Sequence, residues 1–277
     1  MEPRMNLEFP LVSVMMPTFN VEEYVEQAIE SVLSQTYSNF ELVIVDDGST
    51  DKTPTILANC AKNDSRVKVY YSEHAGRGKT RNSCLEYSQG KYIAICDSDD
   101  VSFPERFERQ VMFLETNPNI GAVGAQLCSF NEEPIFEKSR VVSWPVEAAE
   151  VAYSFRKGRM RIANCAGMIR SSLFKRYGNY NEQLNRGQDY DFFRRVSLQR
   201  IDLINLPEVL VFYRQKNIVP SLAYFMESEI YRYYVTHVDG LSFNEFEKQT
   251  QTKFIKQYLH FKYLVLTSFR ASKWLNR

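Results

Sequence analysis

Nowhere in these 277 residues does an apolar run approach the roughly 20 residues that span a bilayer. A transmembrane helix is therefore not expected. Net charge is missing too, because 34 Lys and Arg stand against 34 Asp and Glu. That balance leaves no global signature of nucleic-acid binding. Paired cysteines are absent. Cys60, Cys84, Cys96, Cys128 and Cys165 are odd in number and never in CxxC spacing, so they read as small buried hydrophobes in a reducing compartment, not as staples or zinc ligands. No repeat or low-complexity linker interrupts the chain. The first residues lack a basic-then-apolar signal segment, and a cytoplasmic location is expected. No GxGxxG follows the first apolar run, which argues against a dinucleotide site and against the phosphate loop of a sugar nucleotidyltransferase.

What remains is an ordinary globular composition, 44% hydrophobic and 25% charged. The charge is unevenly placed. Residues 248–277 hold seven Lys or Arg and no acid, which leaves 27 basic against 34 acidic groups in residues 1–247. In the same tail Phe254, Tyr258, Phe261, Val265 and Phe269 fall on one helical face. That face either packs on the rest of the protein or lies on an anionic inner-leaflet surface.

The first half alternates regularly. Residues 11–16, 40–45, 67–71 and 91–96 read as buried strands, the first stopped by Pro17. Helices follow each of the first three, with Asn20 a plausible cap, Pro54 at a first turn and Gly90 as a helix end. Such alternation implies parallel βαβ units. The loops at 17–20, 46–51 and 97–100 then share one sheet edge, where open α/β sheets bind ligands. The second half is less regular. A helix is expected from Pro104 to about Glu115, a short strand over 120–124, a hairpin within 126–145 and a helix over 146–155. A strand of small residues follows over 164–169. Residues 185–196 read as a loop running into a helix, a last strand covers 203–213, and the chain after Pro220 reads as helical.

The densest chemistry is Cys96-Asp97-Ser98-Asp99-Asp100, three carboxylates in four positions after a buried strand. Acids so crowded repel unless something positive lies between them. A divalent cation carrying a phosphorylated ligand would serve, though a solvated turn has the same composition. His74-Ala75-Gly76-Arg77-Gly78-Lys79-Thr80-Arg81 opens a helix with cations beside glycines, a natural place for phosphate.

Four segments together, in order and spacing, carry a resemblance. They are Val12-Ser13-Val14-Met15-Met16-Pro17-Thr18-Phe19-Asn20, Val45-Asp46-Asp47-Gly48-Ser49-Thr50-Asp51, Cys96-Asp97-Ser98-Asp99-Asp100 and Gly187-Gln188-Asp189-Tyr190-Asp191. Over about residues 10–215 the chain closely resembles family 2 glycosyltransferases. The resemblance implies a GT-A type α/β fold, with a Rossmann-like, mostly parallel central sheet flanked by helices. A catalytic domain is expected over 1–220, with a nucleotide-sugar part at 10–125 and an acceptor part at 126–220, followed by a helical extension over 221–277. The implied activity is transfer of a sugar, with inversion, from a nucleoside diphosphate (UDP is the expected carrier) to a glycan or lipid-linked acceptor of a bacterial-type surface polysaccharide. A non-catalytic nucleotide-sugar-binding protein of the same fold is the alternative.

Carried over residue by residue, Pro17, Thr18 and Asn20 line the base and ribose. Asp47 accepts from a ring N–H, with Asp46 nearby or bracing the loop. Arg77 and Arg81 join the nucleotide site. Asp97-Ser98-Asp99 matches the DxD element, so Asp99 with Asp97 or Asp100 would hold Mn²⁺ or Mg²⁺, and Asp97 is also a candidate for the nucleotide. Asp189 is the expected general base, ionised at neutral pH by its ordinary pKa near 3.9. Asp191 points elsewhere, to Arg194 or Arg195. One departure stands out: Tyr213-Arg214-Gln215-Lys216-Asn217 lacks the histidine that many members place near the metal. Lys216 is a candidate source of positive charge in its place.

Overall fold

A computed structural model describes residues 9–130, 139–184 and 186–215. The tail stripe, the helical extension over 221–277, Lys216 and Asn217 lie outside these residues. So does Asn185. Residues 156–159 group with the chain beyond 216 as a separate unit, and the remaining described residues form one body.

The first half is built as its periodicity implies. β1 (Val12–Thr18), α1 (Val25–Leu33), β2 (Phe40–Asp46), α2 (Thr53–Asn63), β3 (Val67–Tyr71), α3 (Arg77–Tyr87) and β4 (Tyr92–Ile95) alternate without exception. β1 pairs in parallel with both β2 and β4, and β2 pairs in parallel with β3. β1, β2 and β4 are apolar and almost wholly buried, as strands covered on two faces must be. Their carboxyl ends therefore share one edge, and the loops after β1, β2 and β4 meet there.

Two boundaries differ from expectation. Pro17 does not stop β1. It pairs in register with Val45, and the ladder continues to the Asp47 amide, which donates to the Thr18 carbonyl at 2.9 Å. Proline lacks a donor but tolerates extended backbone at a strand's end. Gly90 does not end α3, which stops at Tyr87 with Ser88 as its cap. Gly90 instead lets two backbones touch: a Cβ there would sit 2.5 Å from the Ser13 nitrogen and 2.7 Å from the Leu11 carbonyl oxygen.

The second half adds β5 (Val101–Ser102), α4 (Arg106–Thr116), β6 (Ile120–Phe130), β7 (Arg140–Val142) and α5 (Ala148–Arg156). After a 3-10 turn (Asn164–Ala166) come β8 (Met168–Arg170), α6 (Ser171–Tyr177), α7 (Gln188–Leu198) and β9 (Asp202–Arg214). One sheet of nine described strands results, in the order β3-β2-β1-β4-β8-β6-β9-β5, with β7 against β6. The strand expected over 120–124 runs on to Phe130. The strand expected over 164–169 is half turn and half β8. Asn164–Ala166 closes on itself through Gly167 N–H to the Asn164 carbonyl, leaving only the last residues to pair with β4 and β6. β5 pairs antiparallel with Val211 and Phe212 of β9. That short pairing draws the end of the last strand onto the acid loop.

Candidate active site

The loops after β1 and β2 are tied to each other before any ligand is considered. Asn20 adopts a left-handed φ of 48°. Its side-chain oxygen accepts from the Thr50 amide at 2.9 Å, and its own amide donates to Ser49 Oγ at 2.8 Å. It is not the cap of α1, which starts at Val25 after Tyr24. Asp46 closes an Asx turn, accepting from the Ser49 amide at 3.1 Å and from Ser49 Oγ at 2.6 Å. It braces the loop. Thr18 is buried, with its hydroxyl directed at the Val45 carbonyl and Asp46. Pro17 is half-buried beside it.

Asp47 is also committed. Its two oxygens accept from the Ala75 amide at 2.8 Å and the Gly76 amide at 3.1 Å, and His74 Nδ1 lies 2.9 Å away. His74 in turn stacks on Phe19 at 4.4 Å. Asp47 thus fastens the segment before α3, and its Oδ1, which accepts from the Ala75 amide, keeps a further lone pair to offer a ligand. A cavity of about 330 Å³ opens there, lined by Asp47, Ser72, Glu73, His74, Lys79 and Thr80 among others. A second, of about 220 Å³, lies between Arg77 and the segment around Glu182 and Arg186. Neither is lined by Asp97, Asp99 or Asp189.

The acids gather on the other side of α3's first turns. Arg77 and Lys79 are exposed, but Arg81 turns inward and is buried. Its Nη2 lies 3.9 Å from Asp97 Oδ1, and its guanidinium sits over the Tyr180 ring. Burial works against its charge, yet Asp189 and Asp97 together raise its pKa. Asp97 is raised by desolvation, pulled back by Arg81, and raised further by Asp99 and Asp189. Those interactions put Asp97, Asp99, Arg81 and Asp189 within electrostatic reach of one another, although about 90 residues separate Asp97 from Asp189 in sequence. Asp189 sits in the first turn of α7, where it accepts from the Tyr190 amide at 2.8 Å, a favourable place for an anion. Asp191 turns away to Arg195 at 2.8 Å.

Asp100 is buried and its carboxyl is raised well above the usual range, first by burial and then by Asp97 and Asp99. Its Oδ1 accepts from the Arg214 amide at 2.9 Å, while its Oδ2 has no hydrogen-bond partner. An orphaned carboxylate oxygen among acids is a donor set that a hard cation fits. Asp97, Asp99 and Asp100 are the residues that could hold one.

Two arginines frame this loop, and neither has a role assigned from the sequence. Arg214 donates from Nε to the Asp99 carbonyl at 3.0 Å and from Nη2 to Gln27 at 2.7 Å, sandwiched between Tyr24 and Phe130. Arg106 is fully buried behind the loop. It donates to the Ile95 carbonyl at 2.8 Å and Ser102 Oγ at 3.0 Å. Its signal was the spacing of Pro104 and Arg106 just after the acids, which reads equally well as a helix start.

Comparison with known proteins gives the family. Residues 13–177 match the model of glycosyl transferase family 2, and the chain belongs to that family. A glycosyltransferase of Methanocaldococcus jannaschii is 31% identical over 82% of this chain and 79% of its own length. Three further bacterial relatives are longer, and the chain spans 62–65% of them. Glycosyltransferase EpsE of Bacillus subtilis is 35% identical over 73% of this chain and 72% of its own. Among solved structures, Staphylococcus aureus TarS 1–349 in complex with UDP-GlcNAc superposes with a TM-score of 0.64 at 21% identity, covering 85% of this chain and 69% of that one. Mannosyltransferase PcManGT from Pyrobaculum calidifontis, in complex with GDP-Man and Mn²⁺, gives 0.64 at 16% identity, covering 96% and 81%. The fold is GT-A.

Proposed function

We propose that this glycosyltransferase moves a sugar, with inversion, from a UDP-sugar to a hydroxyl of a glycan or lipid-linked acceptor in surface polysaccharide synthesis. The observation that carries the reading is the grouping of Asp97, Asp99, Arg81 and Asp189 from three separate segments. Asp189 takes the proton of the acceptor hydroxyl as that oxygen attacks the anomeric carbon, and the bond to the diphosphate breaks on the opposite face. Arg81 and Arg77 offset the diphosphate charge. Asp47 and the residues at 17–20 seat the nucleoside. A Mn²⁺ or Mg²⁺ ion held by Asp99 with Asp97 or Asp100 would neutralise charge on the leaving group. Relatives with bound UDP-GlcNAc, and with GDP-Man and Mn²⁺, support a nucleotide-sugar donor and a divalent ion. TuaG of Bacillus subtilis, named for teichuronic acid biosynthesis and 43% identical over 106 residues, supports a bacterial glycan context.

No helix among the described residues is long and apolar enough to cross a membrane. The cationic, aromatic stripe of residues 248–277 supports peripheral contact with an anionic inner leaflet, where the lipid-linked acceptor would be met. The test of the reaction is a panel of nucleotide sugars offered with Mn²⁺. One donor is expected to be hydrolysed slowly and to stabilise the fold, and Asp189→Asn is expected to stop turnover while leaving that stabilisation in place. Turnover retained in Asp189→Asn would refute the assigned base.

A further inference from the structure

The acid loop has a neighbour that the proposed reaction leaves unused. Cys165 lies in the turn Asn164–Ala166, on a different element from the loop. Its Sγ and one carboxylate oxygen each from Asp97 and Asp100 all lie within 4.8 Å of one another. Cys165 is 4% exposed and Asp100 5%. Asp100 Oδ1 is committed to the Arg214 amide, and Oδ2 is buried with no hydrogen-bond partner. Leaving such an oxygen without a strong donor is costly, and the Cys165 thiol, which hydrogen-bonds Asp100, is too weak a donor to offset it. The other thiol near the loop is differently placed: Cys96 Sγ receives Arg106 Nη1 at 3.3 Å.

We propose that Cys165 is a ligand of the cation held at the acid loop, and that its sulfur makes the site favour borderline-soft ions over Mg²⁺. The proposal rests on the reading of that loop as a cation site and adds to it the ion's identity. Mg²⁺ demands near-octahedral oxygen ligands, whereas sulfur ligands select softer metals. Tetrahedral bonds of about 2.0 Å to oxygen and 2.3 Å to sulfur put ligand atoms roughly 3.5 Å apart. The present separations, none above 4.8 Å, therefore close by at most about an ångström for a small ion, and by less for a larger one such as Cd²⁺ or Mn²⁺. On binding, the Cys165 thiol releases its proton to the buffer, and the freed lone pair forms the metal–sulfur bond. No atom changes oxidation state.

Cd²⁺ is the direct probe, because a cadmium–thiolate bond adds an ultraviolet charge-transfer band. The full chain is titrated in a Cys60→Ser background, which removes the one half-buried thiol. One equivalent of Cd²⁺ is expected to raise the band, and excess Mn²⁺ to erase it at lower concentration than Mg²⁺. Cys165→Ser is expected to abolish the band and weaken Cd²⁺ on the order of tenfold or more, with Mg²⁺ affinity unchanged. Its melting temperature without metal checks the fold. Should that variant not fold, Asp100→Asn keeps the thiol and is expected to weaken Cd²⁺ in the same assay. Cd²⁺ bound without a band, a band that persists in Cys165→Ser, or equal loss of Cd²⁺ and Mg²⁺ overturns the proposal. Stabilisation of the same samples by nucleotide sugar and Mn²⁺ separates the two failures. Stabilisation without a band removes only the sulfur ligand, while no stabilisation removes the cation site itself.

Discussion

Asp189 and Asp97 come within electrostatic reach of each other from distant parts of the chain, and the buried Arg81 interacts with both. A buried guanidinium beside two carboxylates offsets their repulsion, and removing it would leave them uncompensated. Asp189→Asn is expected to cut turnover on the order of 10²–10⁴-fold with donor binding intact, read by steady-state kinetics beside thermal stabilisation. Arg214 acts through the loop it holds, so Arg214→Ala is expected to weaken divalent-ion binding, with Arg214→Lys restoring part of it. Ion titration followed by calorimetry reads this, and equal affinities in all three proteins would contradict it. Far from the site, Glu41 is buried and accepts from Ser13 Oγ at 2.5 Å and Lys68 Nζ at 2.6 Å. Burial would raise its carboxyl, but Lys68, Ser13 and the Gln89 amide together lower it. A depressed folded pKa means that this stabilisation is fully present above the ordinary glutamate value and is lost as pH falls through the lower folded value. Glu41→Gln should therefore melt lower than wild type at neutral pH, with the gap closing in acid.

At the scale of elements, the parallel half was legible because fully buried strands have one pattern and little else produces it. β1, β2, β3 and β4 stand where their apolar runs lie. The edge they share placed the acid loops together before any coordinate did. The antiparallel half was harder for physical reasons. Small residues at 164–169 suit a strand or a tight turn equally, and here the chain uses both. α6 is seven residues long, too short to leave a helical period. β5 is two residues and owes its existence to pairing with β9, a contact no local pattern encodes. Arg214 is brought to Asp99 and Asp100 by that pairing, so its role was invisible in the sequence for the same reason. Gly90 shows the opposite error, a residue legible by type but misread by purpose. Gly90→Ala would press a methyl group into the backbone at Leu11 and Ser13 and into that of Tyr92. A loss of about 3 kcal/mol or more is expected, measurable by denaturant unfolding.

For the molecule as a whole, the question is whether one edge of one sheet holds the nucleoside, the diphosphate and the base. Asp47 and the residues at 17–20 are committed to bracing their loops. Asp97, Asp99, Asp100, Arg81 and Asp189 gather on the other side of α3's first turns. On the proposed reading, a donor bound at both places would reach across the turn at 74–78. The basic tail bears on where the acceptor is met. Deleting residues 248–277 is expected to release the protein from anionic vesicles while leaving donor binding unchanged, and vesicle binding that survives the deletion would reject membrane contact. The most direct test of the shared donor site is thermal stabilisation by UDP-sugars with and without Mn²⁺, in wild type and in Asp99→Asn. The account predicts one donor that stabilises the fold only with the metal, and loss of that effect in Asp99→Asn. Stabilisation that is indifferent both to the metal and to Asp99 would contradict it.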